Sequence, residues 1–240
     1  MLEGLYSAAA GMAAQQTRMD SLANDVANVN TDGYKRTRVA FRDLLYAGDA
    51  SGRVSSGAGA GATTIGRTFD QGALRETGNG LDVAISGDGF LRVRRADGSE
   101  ALTRDGALRL DPQGRLTTQR GELVQPAITV PPNTDPGSVT IAADGTVTAG
   151  EQPLGRIAVM TVRSPQGLQP VGDNLFVATA ASGPPQAAAP RLLPGQVEAS
   201  NVDMGDAMTQ MMDSQRSYQL ASRAVQMQDQ LLRIANEVKA

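Results

Sequence analysis

The 240-residue sequence contains neither cysteine nor histidine. Without cysteine there are no disulfides, thiolate metal sites or cysteine nucleophiles, although the compartment is left open. Without histidine the commonest general base and the commonest metal ligand are missing. Tryptophan is absent and aromatic residues make up only 3 % of the chain. Leu, Val, Ile, Met and Ala are therefore expected to fill the core, with aromatic anchors contributing little. No apolar run approaches the roughly 20 residues of a membrane-spanning helix. Lys and Arg are scattered and the net charge is −3, which argues against nucleic acid as a partner. The opening Met1-Leu2-Glu3-Gly4 has no basic n-region and its apolar residues are helically spaced, so no cleavable signal peptide is expected.

Each end of the chain carries a heptad pattern. Leu5, Met12, Met19 and Val26 fall seven apart, with Ala8, Gln15, Leu22 and Val29 interleaved. Met204, Met211, Tyr218, Val225 and Leu232 do the same at the other end. Such spacing lays one narrow stripe of a helix against another helix. Residues 2–29 are expected to form a helix roughly 42 Å long, stopped by Asn30-Thr31-Asp32-Gly33 with Gly33 in the left-handed region. A second helix is expected from about Ser200 to Val238, roughly 55–58 Å long, with Ser200 and Asp203 as a Ser-x-x-Asp cap.

Between them the period changes to two. Leu81, Val83 and Ile85 alternate, as do Leu91 and Val93, and Asp-Gly turns at 88–89, 97–98, 105–106 and 144–145 separate short segments. This predicts an antiparallel all-β region. The expected class is α+β: long N- and C-terminal helices pairing as a coiled-coil-like stem around a central antiparallel β-rich domain. Residues 1–33 and 200–240 form the stem, 34–67 an extended connector with a Gly/Ser-rich flexible or extended loop, and 68–199 the β-rich domain with a stiff Pro-rich return.

The Asp-Gly pairs do not form the alternating oxygen ligands of a calcium loop and read as hairpin turns. The Gly57–Gly61 stretch lacks the lysine and the strand–turn–helix setting of a phosphate cradle. Serine has no histidine base, no Ser-x-x-Lys motif occurs, and the usual aromatic sugar platforms are missing. No catalytic, cofactor or metal residue is expected, and neither nucleic acid nor a small-molecule substrate. The methionines of the last helix fit either a private helix–helix core or a surface that packs against copies of itself.

Ala23-Asn24-Asp25-Val26-Ala27-Asn28-Val29-Asn30-Thr31-Asp32-Gly33-Tyr34-Lys35-Arg36 resembles the N-terminal signature of the bacterial flagellar axial proteins, the rod and hook subunits. Asp25 and Val26 depart from its Asn and Leu. Asp82-Val83-Ala84-Ile85-Ser86-Gly87-Asp88-Gly89-Phe90, Thr103-Arg104-Asp105-Gly106 and Asp111-Pro112-Gln113-Gly114 are similar to its following segments. Glu198-Ala199-Ser200-Asn201-Val202-Asp203 and Gln215-Arg216-Ser217-Tyr218 resemble its C-terminal helix. The likeness is closest to the distal rod type, although the Tyr46–Gly66 segment looks short for it.

The resemblance implies a structural subunit that polymerises into a helical tube around an export channel and transmits torque to the hook. Implied partners are copies of itself, other rod subunits, hook protein, the flagellar type III export apparatus and surrounding ring proteins, at the basal body. Leu5, Met12, Met19, Leu22, Val26, Met204, Met211, Tyr218, Val225 and Leu232 would carry assembly. Asn24 and Asn28 would hydrogen-bond backbone where the first helix meets the outer domain. The helices are expected to order fully only on assembly. Alternatives are a proximal-rod or hook-related subunit, a secreted β-rich binding module with an oligomerising stem, and a peptidoglycan-cleaving enzyme.

Overall fold

The computed structural model describes residues 2–45, 57–132 and 134–239. Helix α1 runs Leu2–Ala27 and helix α2 runs Met204–Lys239, with antiparallel strands between them. The class is α+β. The chain divides into two compact units. Unit 1 comprises residues 1–27, 37–65 and 203–240; unit 2 comprises residues 28–36 and 66–202.

In unit 1, α1 and α2 pack against each other. Alanine-rich sequence, Ala8-Ala9-Ala10 and Ala13-Ala14, favours α1. The helix stops at Ala27, two residues before the expected end, because the Asn28 carbonyl accepts the Thr31 N–H at 3.1 Å in a turn. Helix α2 begins at Met204, and its cap is Asp203 rather than Ser200. Asp203 Oδ1 accepts the Asp206 N–H at 2.9 Å while its carbonyl accepts Ala207 N–H. This places a carboxylate at the positive helix end. Ser200 Oγ accepts the Val202 N–H instead.

Strands β1 (Thr37–Leu45) and β2 (Gly57–Arg67) pair as a two-stranded sheet. The low-complexity Gly-Ala sequence thus forms a strand rather than a loop. Gly59 explains the composition: its φ is +94°, and a Cβ there would lie 2.9 Å from the Ser7 carbonyl oxygen and 3.0 Å from Ala10 Cβ. Small residues let this strand approach α1 closely. The rest of the expected 47–66 loop, residues 46–56, lies outside the described residues.

Unit 2 contains a nine-stranded antiparallel sheet with Phe90–Arg94 near its centre. That strand pairs with Glu100–Thr103, Leu123–Val124 and Val159–Thr161. A three-stranded sheet (Val139–Ile141, Thr146–Ala149, Gln152–Arg156) adds to it. The Pro-rich return is not a bare connector. It holds Gln186–Ala188, Arg191–Pro194 paired with Val83–Ser86, and Gln196–Glu198 paired with Leu74–Glu76. Pro194 is tolerated because it ends a strand of a two-stranded sheet. Residues 127–130 form no regular strand; Thr129 makes an isolated antiparallel bridge with Arg115.

The main core is aliphatic, as the composition demands: Val83, Ile85, Leu91, Val93, Leu116, Val124, Val139, Val147 and Leu192. A second cluster departs from that expectation. Phe69, Phe90 and Phe176 meet edge to face, with centroids 5.2–6.2 Å apart. Three of the four phenylalanines are thereby concentrated in one place.

Candidate assembly surface and a buried charge cluster

The covered side of α2 follows three-four steps: Met204, Ala207, Met211, Ser214 and Val225 are buried or half-buried. Small Ala207 and Ser214 permit close helix approach, and Ser214 Oγ donates to the Gln210 carbonyl at 2.8 Å. On α1 the covered positions include Ser7, Gly11, Ala14, Arg18, Leu22 and Asp25. Arg18 donates to Gln210 Oε1 at 3.4 Å and lies over the Phe41 ring at 5.8 Å.

Of the residues expected to assemble, Leu22 is the most buried. Met12, Met19, Val26, Met204, Met211 and Val225 are half-buried, while Tyr218 is exposed. The side chains of Leu5 and Leu232 lie outside what is described. Asn24 is exposed, and half-buried Asn28 accepts from Thr31 Oγ1 at 3.3 Å. Asp25, between them in sequence, bonds backbone at this helix end: its Oδ1 accepts the Thr37 N–H at 3.0 Å.

Helix α2 also carries a second apolar stripe. Met208, Met212, Leu220, Met227, Leu231 and Ile234 are all more than half exposed. At about 100° per residue they fall within about 140° of one another, opposite Ala207 and Ser214. The methionines therefore divide: Met204 and Met211 are half-buried, Met208, Met212 and Met227 exposed. The heptad positions Met204, Met211 and Val225 fall on the covered side, Tyr218 does not, and heptad reading missed this second stripe, whose spacing drifts between three, four, seven and eight.

Sequence reading also missed a buried charge cluster in unit 2. Lys35 Nζ donates to Glu198 Oε1 at 2.5 Å and to the Asp70 carbonyl at 2.8 Å. Arg104 donates to Glu198 Oε2 at 3.0 Å and to the Gly87 carbonyl at 2.7 Å. Glu198 Oε1 also accepts the Gly72 N–H, and the Glu198 carbonyl accepts Gly33 N–H at 2.7 Å. Lys35, Arg104 and Glu198 are at most 4 % exposed. Burial holds the Lys35 ammonium below the ordinary lysine range, against the opposing pull of Glu198. Gly33 sits against this region at φ +68°, where a Cβ would lie 2.6 Å from the Arg104 carbonyl carbon. The three charged residues come from three separate sequence motifs, and that was the available signal.

The Asp-Gly acids make turns. Asp97 Oδ1 accepts from both the Ser99 N–H and hydroxyl, while Asp144 accepts the Thr146 N–H at Oδ1 and its hydroxyl at Oδ2. These bonds hold both carboxyls below the ordinary range. Among the described residues no acidic group is arranged to hold a metal, and no helix is long and apolar enough to cross a membrane.

Three family models match the chain: flagella basal body rod protein over residues 5–35, flagellar hook protein FlgE/F/G D1 domain over 84–149, and flagellar basal body rod FlgEFG protein C-terminal over 193–238. Each matched stretch supplies one residue of the buried cluster. The chain is 38 % identical to flagellar basal-body rod protein FlgG of Borreliella burgdorferi, over all of the chain and 99 % of that relative. It is 36 % identical to the FlgG of Caulobacter vibrioides over the full length of both. Flagellar basal-body rod protein FlgF of the same organism is 32 % identical over 95 % of each.

Proposed function

The chain belongs to the flagellar basal-body rod family and is a structural rod subunit of the distal type, sited in the flagellar basal body; from this premise we propose how its two units serve the rod. Self-assembly and association with other flagellar components follow from the family. The finer reading is that α1 and α2 form a coiled-coil-like stem that lines a helical tube around the export channel. Residues 68–199 form its outer layer. Repetition of one heterologous contact without closure produces such a filament. Neighbouring rod subunits, hook protein and ring proteins meet it there, and the type III export apparatus delivers it.

The observation that carries this reading is the second stripe of α2. A helix already covered on one side shows Met208, Met212, Leu220, Met227, Leu231 and Ile234 on the other. A contiguous apolar face of this kind marks an interaction surface. Methionine suits contacts that repeat in non-identical surroundings. Torque then passes from stem to stem along the polymer to the hook.

The test is complementation of a strain lacking the chain. Leu220→Asp should yield a folded, exported subunit that builds no rod, seen by electron microscopy of isolated basal bodies. Normal basal bodies from Leu220→Asp together with Met212→Asp would remove the stripe from assembly.

A further inference from the structure

Unit 2 is made of two stretches of chain, residues 28–36 and 66–202. Three of the four places where those stretches stop are laced together. The first stretch stops at Arg36, whose N–H donates to Asn201 Oδ1 at 2.8 Å and whose carbonyl accepts Thr68 N–H at 3.0 Å. The second begins at Gly66. Its next residue, Arg67, donates to the Lys35 carbonyl at 2.7 Å and lies over the Tyr34 ring at 5.0 Å. The second stretch stops one residue after Asn201, whose amide donates to the carbonyls of Thr68 and Asp70 at 2.9 and 3.1 Å.

Directly beside this lacing lie Lys35, Glu198 and Arg104. Lys35 adjoins Arg36, Glu198 lies three residues before Asn201, and Lys35 Nζ shares the Asp70 carbonyl with Asn201. Two cations therefore face one carboxylate in a site closed to water. The other acceptors are backbone carbonyls: that of Asp70 for Lys35, and those of Gly87 and, at 3.5 Å, Ile85 for Arg104. Removing the Glu198 charge takes away the one carboxylate bonded to both cations and leaves only the weaker pull of Asp70 on Lys35, a costly way to break such a cluster.

We propose that Glu198 closes a charge clasp that makes these three ends one rigid joint, so that load entering unit 2 along the chain is taken by the joint rather than by the sheet. The mechanical use rests on the rod reading; the clasp itself does not. The aliphatic core around Leu91, Val93 and Val124 is built from other side chains. Loss of the Glu198 charge therefore loosens the ends and spares the sheet.

The experiment compares amide hydrogen exchange of the full-length monomer with Glu198→Gln and with Lys35→Met plus Glu198→Gln. In Glu198→Gln, exchange at 33–36, 66–73 and 196–202 should rise about tenfold or more, with 90–94 and 116–124 within about twofold of the parent. The double variant removes one of the stranded cations and should recover at least about threefold of that protection. Unchanged ends, equal loss across the sheet, or no recovery in the double variant each overturn the clasp. In cells, Glu198→Gln should swim in dilute medium and fail in viscous medium. Normal swimming in viscous medium overturns the mechanical use while leaving the rod reading intact; that reading falls only if cells lacking the chain still swim.

Discussion

In unit 2 Leu91, Val93 and Val124 are sealed from solvent, together with more than a dozen other aliphatic side chains. In unit 1 the buried apolar side chains among the described residues are Ala14, Leu22 and Ala207. The helices do not lack apolar residues; α2 has several large ones, among them Leu220, Met227, Leu231 and Ile234, at exposed positions. Unit 2 has the interior of a self-sufficient domain. In unit 1 two of the three sealed apolar residues are alanines, the larger ones being half-buried or exposed apart from Leu22. The contrast is between a unit with a sealed aliphatic core and one whose helices leave large apolar side chains exposed, the arrangement that the proposed assembly would cover.

The comparison is broken most directly inside unit 2. Leu91→Ala, at a fully buried site, should cost about 3–4 kcal/mol. Urea unfolding followed by far-ultraviolet circular dichroism measures it, and a cost under about 1 kcal/mol would deny unit 2 its tight core.

Asp105 sharpens the same point from the opposite direction. Burial pushes its carboxyl up to about 6 from 3.8, opposed by the Ala107 N–H that it accepts at 3.0 Å. A folded-state value above the unfolded one means that its stabilising contribution is complete below 3.8 and is lost as pH rises to about 6. At neutral pH the ionised form is then a burden of about 1–3 kcal/mol. Asp105→Asn should raise unfolding free energy by that amount at pH 7 and by almost nothing at pH 3.5. Equal gains at both pH values would mean that ionisation is not the cause.

In unit 1, Leu22→Ala should cost only about 1–2 kcal/mol, because its surroundings are open enough to relax. Helix protection by hydrogen exchange is the readout, and the same measurement tests the expectation that α1 and α2 order fully only on assembly. Terminal helices as protected as the sheet in dilute monomer would refute that expectation. The smallest effect belongs to Leu220→Asp, which should change monomer stability by no more than about 0.5 kcal/mol. A large loss would show that the outer stripe is covered within the monomer.

Much of the fold was legible because its period is. Alternation at Val83 and Ile85 and at Leu91 and Val93 marks strands found within a residue or two of their expected place. Seven-residue spacing located both helices. The Gly57–Ala62 stretch was misread because composition cannot distinguish a loop from a strand that needs small residues to approach α1. Ser200 and Asp203 each suited a cap, and only the helix start decides between them. Asp25 was overlooked because two asparagines beside it matched the motif better. The charge cluster is missed for a different reason: Lys35, Arg104 and Glu198 each sit in a motif, but they lie far apart in sequence, and burial of a lysine is not written in any local pattern.

That separation has a further consequence. Lys35 reaches Glu198 across 163 positions. A chain delivered from its N-terminus has passed almost everything except α2 before the carboxylate appears. Until then Lys35 and Arg104 have no such counter-ion, and long-range closure of this kind comes late in any case. Under the proposed export route the separation would act as a delay, since the clasp can lock only when nearly all of the chain has arrived.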